Sequence, residues 1–375
     1  MEKPIRVALV HDFLTHWGGA EKVTHTLAEM FPEAPIYTLL YHPRLDGFFP
    51  GKRIIVSPLQ RWFRTFKIPA KFLLPWMASA IEGFNFSGYD LVISSNNSFA
   101  GGIITEPNTV HISYCHSPTR YLWDSFHTYI DEQRLPGWAK NIVKKILHEL
   151  RIWDKLSAGR AQKYIANSQH VKRRISKYYR REAEVIYPPV DTDRIKPKRG
   201  QAGYFLVLSR LSSYKRIDLA VRACNELKLP LVVIGEGEMR QELMRMAGPT
   251  VEFLGWQSDK NKIEYLRNAR ALIFPGEEDF GIVPVEAMAA GKPVIAYGKG
   301  GVLESVIEGK TGIFFYEPTA ESLAVAIRRF LTMEKKFDWR AISQNAQKFS
   351  REKFKQDMMA LITKHVCHPE RSRRI

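Results

Sequence analysis

Short apolar runs of strand length alternate along the chain with longer segments whose apolar residues recur at helical spacing. The runs at 5–10, 89–94, 110–114, 164–168, 204–208, 229–234, 251–254 and 271–274 read as strands. The segments 20–30, 138–157, 171–179, 217–227, 239–247, 263–269, 322–331 and 339–361 read as helices. The small-residue stretch from Pro284 to Gly291 reads as one more: proline suits a first helical turn, and Gly291 followed by Pro293 supplies the stop. Repeated strand–helix alternation predicts parallel sheets covered on both faces, an α/β fold. Tyr187-Pro188-Pro189 cannot be helical and divides the pattern. At 375 residues the chain therefore reads as two doubly wound domains, 1–190 and 191–353.

Polar and glycine residues gather just after the strands. In an open parallel sheet, ligands bind beyond the carboxyl ends of the strands. His11, Asp12 and Gly18-Gly19 follow the first run, and Cys115-His116-Ser117-Pro118-Thr119-Arg120 the third. In the second half, Ser209-Arg210-Leu211-Ser212-Ser213-Tyr214-Lys215-Arg216, Gly235-Glu236-Gly237-Glu238, Gly255-Trp256 and Pro275-Gly276-Glu277-Glu278-Asp279-Phe280-Gly281-Ile282 occupy the same kind of position. Arg240 stands where a dinucleotide fingerprint needs its third glycine, which disfavours a nicotinamide enzyme. Glu278 and Glu286 flank a helix start whose preceding loop is thinned by Gly276 and Gly281. Backbone N–H groups there can meet phosphate, while carboxylates accept hydrogen bonds from neighbouring hydroxyls. A nucleotide sugar carries both groups.

Charge narrows the partners. Lys and Arg exceed Asp and Glu by 56 − 39 = 17, so anionic ligands or surfaces are favoured. Cys115, Cys224 and Cys367 lack metal-ligand spacing, no signal peptide is recognised, and no apolar run could span a bilayer. These features point to a reducing cytoplasm and to peripheral membrane contact at most. Residues 52–77 hold Lys52, Arg53, Arg61, Arg64, Lys67 and Lys71, no acid, and interleaved Trp62, Phe63, Phe66, Phe72 and Trp76. Pro58, Pro69 and Pro75 cut this stretch into short helices, whose aromatic side either packs as core or sits at the headgroup level of an anionic membrane. Nucleic acid is a third partner for such charge, but no recognised nucleic-acid fold accompanies it.

Glu278 and Glu286 with seven residues between them, then Ala-Met-Ala-Ala-Gly-Lys-Pro-Val-Ile-Ala and Gly300-Gly301-Val302-Leu303-Glu304, resemble the donor-site signature of glycosyltransferase family 4. Tyr114-Cys115-His116-Ser117-Pro118-Thr119-Arg120-Tyr121-Leu122-Trp123-Asp124 resembles that family's histidine loop, closest to mannosyltransferase-like members of surface polysaccharide synthesis. The resemblance implies a GT-B fold of two Rossmann-like domains facing a cleft, with a C-terminal helix, 354–375, crossing back to the first domain. It implies that Arg210 and Lys215 clamp the donor diphosphate and that Glu278 and the Phe280-Gly281-Ile282 backbone hold the sugar and phosphate. Glu286 then holds the ribose, Trp256 meets the base, and Gly235, Gly237, Gly18 and Gly19 let backbone approach the nucleotide. Asp12 lies beside the first glycine pair, and His116 meets the sugar. The function implied is retaining, metal-independent transfer of a sugar, preferably mannose from GDP-mannose, to a lipid-linked or polysaccharide acceptor at the inner face of the cell membrane. No cofactor and no nucleic-acid partner are implied. Two rival readings differ in outcome. A non-catalytic nucleotide-sugar or glycan-binding subunit would release no nucleoside diphosphate, and a nucleic-acid-binding protein would bind random DNA with steep salt dependence.

Overall fold

The structure is a computed structural model, and it describes residues 5–132, 135–198 and 203–366. Cys367 and the basic tail 368–375 lie outside the described residues. Two compact units are present, Met1–Tyr187 with Phe354–Ile375, and Pro188–Lys353.

In chain order the first unit runs β1 (Val7–Leu14), α1 (Gly19–Met30), β2 (Ile36–Tyr41), β3 (Ile54–Val56), α2 (Leu59–Arg64), α3 (Leu74–Glu82) and β4 (Leu91–Asn96). It continues β5 (Val110–Cys115), α4 (Phe126–Glu132), α5 (Gly137–Ser157), β6 (Lys163–Ala166), α6 (Gln169–Tyr179) and β7 (Ala183–Val185). Its seven strands are all parallel, in the order β3-β2-β1-β4-β5-β6-β7. β4 and β5 are buried along their whole length, the mark of strands covered on both faces.

The second unit runs β8 (Phe205–Leu208), α7 (Ile217–Leu227), β9 (Leu231–Ile234), α8 (Arg240–Met246), β10 (Val251–Gly255), α9 (Asp259–Asn268) and β11 (Leu272–Phe274). Then come α10 (Ile282–Ala289), β12 (Val294–Tyr297), α11 (Val302–Ser305), β13 (Gly312–Phe315), α12 (Ala320–Met333) and α13 (Trp339–Ala346). The order β10-β9-β8-β11-β12-β13, again all parallel, is that of a doubly wound sheet. Strand order reverses between β1 and β4 in one sheet and between β8 and β11 in the other, the position beyond whose carboxyl edge open sheets of this kind bind ligands.

The final helix, α14 (Arg351–Val366), returns to the first unit. Phe354, Met358, Leu361 and Ile362 join the core that holds Leu9, Leu27 and Ile93, and the Phe354 ring meets Tyr114 edge-on at 5.7 Å. Two readings of the sequence are corrected. The single helix expected over 339–361 is broken at 347–350, where the chain pairs with the linker: Val190 N donates to the Phe349 carbonyl at 3.0 Å and Arg351 N to the Val190 carbonyl at 3.1 Å. β1 also continues through His11 and Asp12, expected in a loop, because each polar side chain finds buried partners.

Candidate functional site

The loops after β8 and β9 are laid on each other. Ser209 N donates to the Ile234 carbonyl at 3.1 Å, Leu211 N to Glu236 at 2.9 Å and Met239 N to Leu211 at 3.0 Å. Such closeness excludes side chains: a Cβ on Gly235 would lie 1.8 Å from the Ser209 carbonyl oxygen, and one on Gly237 2.3 Å from that of Leu211. After β11 the chain also passes close to Lys215, whose Cα would be 2.9 Å from a Cβ on Gly276. That approach brings Lys215 Nζ into an ion pair with Glu278 Oε1, both side chains largely shielded. The Glu278 carbonyl accepts from Gly301 N at 2.9 Å, and Glu277 pairs with Lys299 at 3.1 Å, so the 298–301 loop pins the 276–281 loop from the other side.

Gly281, at φ +88, precedes α10 in a conformation that side chains resist. Phe280 is buried against Phe349, ring centres 5.5 Å apart, so its side chain is core and only its backbone faces the loop. Glu286 stands at the fifth position of α10, one turn past the N-terminus where the sequence placed it, and shares a face with Ile282. Arg210 is exposed after β8, its Nη2 donating to the Tyr214 hydroxyl at 3.2 Å. Trp256 follows β10 and is 73% exposed, which excludes it from the core. The structure thus joins Lys215 to Glu278 directly. Arg210, Gly235, Gly237 and Trp256 follow β8, β9 and β10 at the same carboxyl edge of the sheet, and Glu286 lies one turn into the helix after β11.

In the first unit the edge at β1 and β4 is polar but buried. Asp12 is 1% exposed, and its carboxylate accepts four backbone N–H groups, from Asn97, Ser98, Phe99 and Ala100. Expected among the ligand contacts, it instead holds the loop after β4. Gly18 precedes α1, and a Cβ there would sit 3.0 Å from Glu21 Oε2; Gly19 begins the helix. His116 Nε2 lies 2.8 Å from Ser95 Oγ, and Asn167 Nδ2 donates to the His116 carbonyl at 2.9 Å.

The loop carrying His116 is held by residues the sequence reading passed over. Asp154 on α5 accepts from Trp123 Nε1 at 2.7 Å, the Tyr179 hydroxyl at 3.0 Å and Thr119 Oγ1 at 3.2 Å. Burial pushes this carboxyl up to about 7 against those three donors. Arg174 on α6 reaches Ser117, the Pro118 carbonyl and Asp124.

The basic aromatic stretch forms β3, α2, a short turn of helix and α3. Leu59, Leu73 and Met77 face the core, whereas Trp62, Phe66, Phe72 and Trp76 are 41–60% exposed. Lys52 is withdrawn from the cationic set: Nζ donates to the Phe31 and Pro32 carbonyls at 2.6 Å, and burial lowers its pKa. Among the described residues no helix is long and apolar enough to cross a membrane, and no three or more His, Cys, Asp or Glu side chains gather as a metal-binding group.

The family model described as Glycosyltransferase Family 4 matches residues 17–194, and that described as Glycosyl transferases group 1 matches 191–349. The chain is 28% identical over 296 residues to alpha-1,3/1,6-mannosyltransferase ALG2 of Mus musculus, covering 68% of each chain. The protein of the same name from Dictyostelium discoideum is 25% identical over 442 aligned residues, covering 97% of this chain and 99% of that one. Anabaena HepE, solved with UDP and glucose, has the same fold, with a TM-score of 0.71 at 18% identity over 96% of this chain and 100% of that one.

Proposed function

The chain belongs to glycosyltransferase family 4, and from that premise we propose that it transfers mannose from GDP-mannose to a hydroxyl of a lipid-linked or polysaccharide acceptor, retaining the anomeric configuration without a metal ion. The observation that carries this reading is the Lys215–Glu278 pair at the β8/β11 reversal, where a cation and a hydroxyl acceptor are fixed side by side. Breaking the bond between sugar and phosphate leaves charge on the diphosphate, and preorganised cations stabilise it. Lys215 and Arg210 take that role. Glu278 and the backbone of Phe280, Gly281 and Ile282 take the sugar and phosphate, Glu286 the ribose, and Trp256 the base beside Gly235 and Gly237. In the first unit His116 meets the sugar and Gly18-Gly19 the phosphate. Mannose as the preferred sugar rests on the mannosyltransferase relatives.

Retention follows from the roles. Inversion needs a general base opposite the leaving group, within reach of the acceptor hydroxyl. Glu278 and Glu286 are engaged with hydroxyls and His116 lies beside the sugar, so the departing phosphate oxygen takes the acceptor's proton on the same face. The test is transfer from GDP-mannose in EDTA, with the one-bond carbon–proton coupling of the new anomeric centre as readout. An α-linked product formed in chelator is expected. A β-linked product removes the mechanism, strict dependence on Mg²⁺ or Mn²⁺ removes metal independence, and stabilisation by UDP but not GDP removes the donor assignment.

The exposed aromatics in and between α2 and α3, with Arg61, Arg64, Lys67 and Lys71 among them, support a contact of this face with anionic lipid in the same reading. Vesicles rich in anionic lipid are expected to sediment the protein, less so as salt rises, since exposed charges are screened within about 8 Å at physiological ionic strength. Binding indifferent to lipid charge overturns this part.

A further inference from the structure

A line of buried polar side chains in the first unit leads from α1 to His116. Glu21 Oε1 lies 3.5 Å from His11 Nε2. On the other side of the ring, His11 Nδ1 lies 3.0 Å from the Ser95 carbonyl oxygen, 3.1 Å from Ser95 Oγ and 3.0 Å from Thr24 Oγ1. Ser95 Oγ is 2.8 Å from His116 Nε2 and receives the Thr24 hydroxyl at 3.0 Å. Glu21, His11, Ser95 and Thr24 are each no more than 3% exposed.

The proton positions can be followed along this line. A carbonyl oxygen only accepts, so His11 Nδ1 carries a proton toward Ser95. His11 Nε2 faces a carboxylate, which favours a second proton there. Burial alone would lower the His11 pKa, but the Glu21 hydrogen bond and charge, with Asp12 beside it, more than reverse this and raise it. For Glu21, burial pulls upward, and the hydrogen bond and charge of His11, with His16 at 3.5 Å, leave it lowered. Both shifts favour the His11–Glu21 ion pair. With Nδ1 donating to the Ser95 carbonyl, His11 cannot accept from Ser95 Oγ, so the Ser95 hydroxyl proton turns to the short contact at His116 Nε2.

We propose that Glu21, His11 and Ser95 are positioning residues that hold His116 with its proton on Nδ1 and fix its ring plane for the sugar. The proposal rests on the reading of His116 as a sugar contact, but it concerns groups one, two and three contacts behind it. Outer residues that set a histidine's tautomer typically change function 10–100-fold when removed, as is measured around metal-bound histidines.

The experiment is nitrogen NMR of the full chain labelled with ¹⁵N-histidine, combined with steady-state transfer for Ser95→Ala, Glu21→Gln and His116→Ala. In the parent, His116 is expected to show an unprotonated Nε2 and a protonated Nδ1. Ser95→Ala should shift that pattern to a mixture of tautomers and lower kcat about tenfold with little change in KM. Glu21→Gln, which preserves shape, should move the His11 signals toward the neutral form and lower kcat less. An Nε2-protonated His116 in the parent, or an unchanged His116 pattern in Ser95→Ala, overturns the relay. Transfer near the parent rate in His116→Ala removes the sugar contact instead, and the nitrogen spectra still decide the relay by themselves.

Discussion

Lys215→Ala is expected to lower kcat by on the order of one hundred-fold or more, the loss typical of one removed donor at a site of developing charge. The side chain is held by neighbouring protein groups. Its backbone is fixed by the close approach of Gly276, and its ammonium is held by Glu278. Truncation does two things at once: it removes a cation from the leaving diphosphate and leaves the Glu278 carboxylate uncompensated beside it. Arg210→Ala should cost less, because that side chain is exposed and its charge is screened. Steady-state kinetics separate the outcomes. A fall in kcat and kcat/KM together marks an interaction made only in the transition state, whereas a rise in KM alone marks uniform binding. Activity of Lys215→Ala within threefold of the parent would remove the clamp. Because truncation also leaves the largely shielded Glu278 carboxylate unpaired, some loss of stability is expected, and thermal unfolding separates it from the kinetic effect.

The alternation of strands and helices was legible because every strand of a parallel sheet covered on both faces is an apolar run. The exceptions have physical causes. β1 was cut short at His11 because its polar partners lie far along the chain: Asp12 is satisfied by N–H groups 85–88 residues later. Hydrophobic pattern cannot register such pairs. The break between α13 and α14 was hidden for the same reason, as it depends on hydrogen bonds to Val190 at the far end of the unit.

Close backbone approaches were legible where glycines stand, because a glycine marks such an approach without revealing what approaches. Glu21 and Asp154 were not. Each acts through a partner on another element, and on its own helix reads as an ordinary polar position.

Gly235→Ala is expected to be the most damaging single-methyl change in the second unit. Two costs add at this position. Gly235 holds φ +141, a region essentially closed to residues with a Cβ, and such strain is worth about 1–3 kcal/mol. The new Cβ would also lie 1.8 Å from the Ser209 carbonyl oxygen, a contact that only backbone movement can relieve. Overpacking of this kind costs a further ~1–3 kcal/mol. The two together, about 3 kcal/mol or more, correspond to a fall in Tm of about 6–12 °C for a unit of this size. Gly309→Ala separates the two costs. Gly309 has φ +71 with nothing within 4 Å of a Cβ, so it bears the strain without the collision and should melt nearer the parent. Gly235→Ala should also impair transfer beyond its effect on stability. Relief of the contact displaces Ser209, and with it Arg210, from the turn that Ser209 N and Gly235 N fix by bonds of 3.1 Å to Ile234 and 2.9 Å to Gly255. Thermal unfolding and kcat measured on both variants decide the matter: a Gly235→Ala protein that melts no lower than Gly309→Ala would mean that the loops after β8 and β9 do not meet this closely in solution.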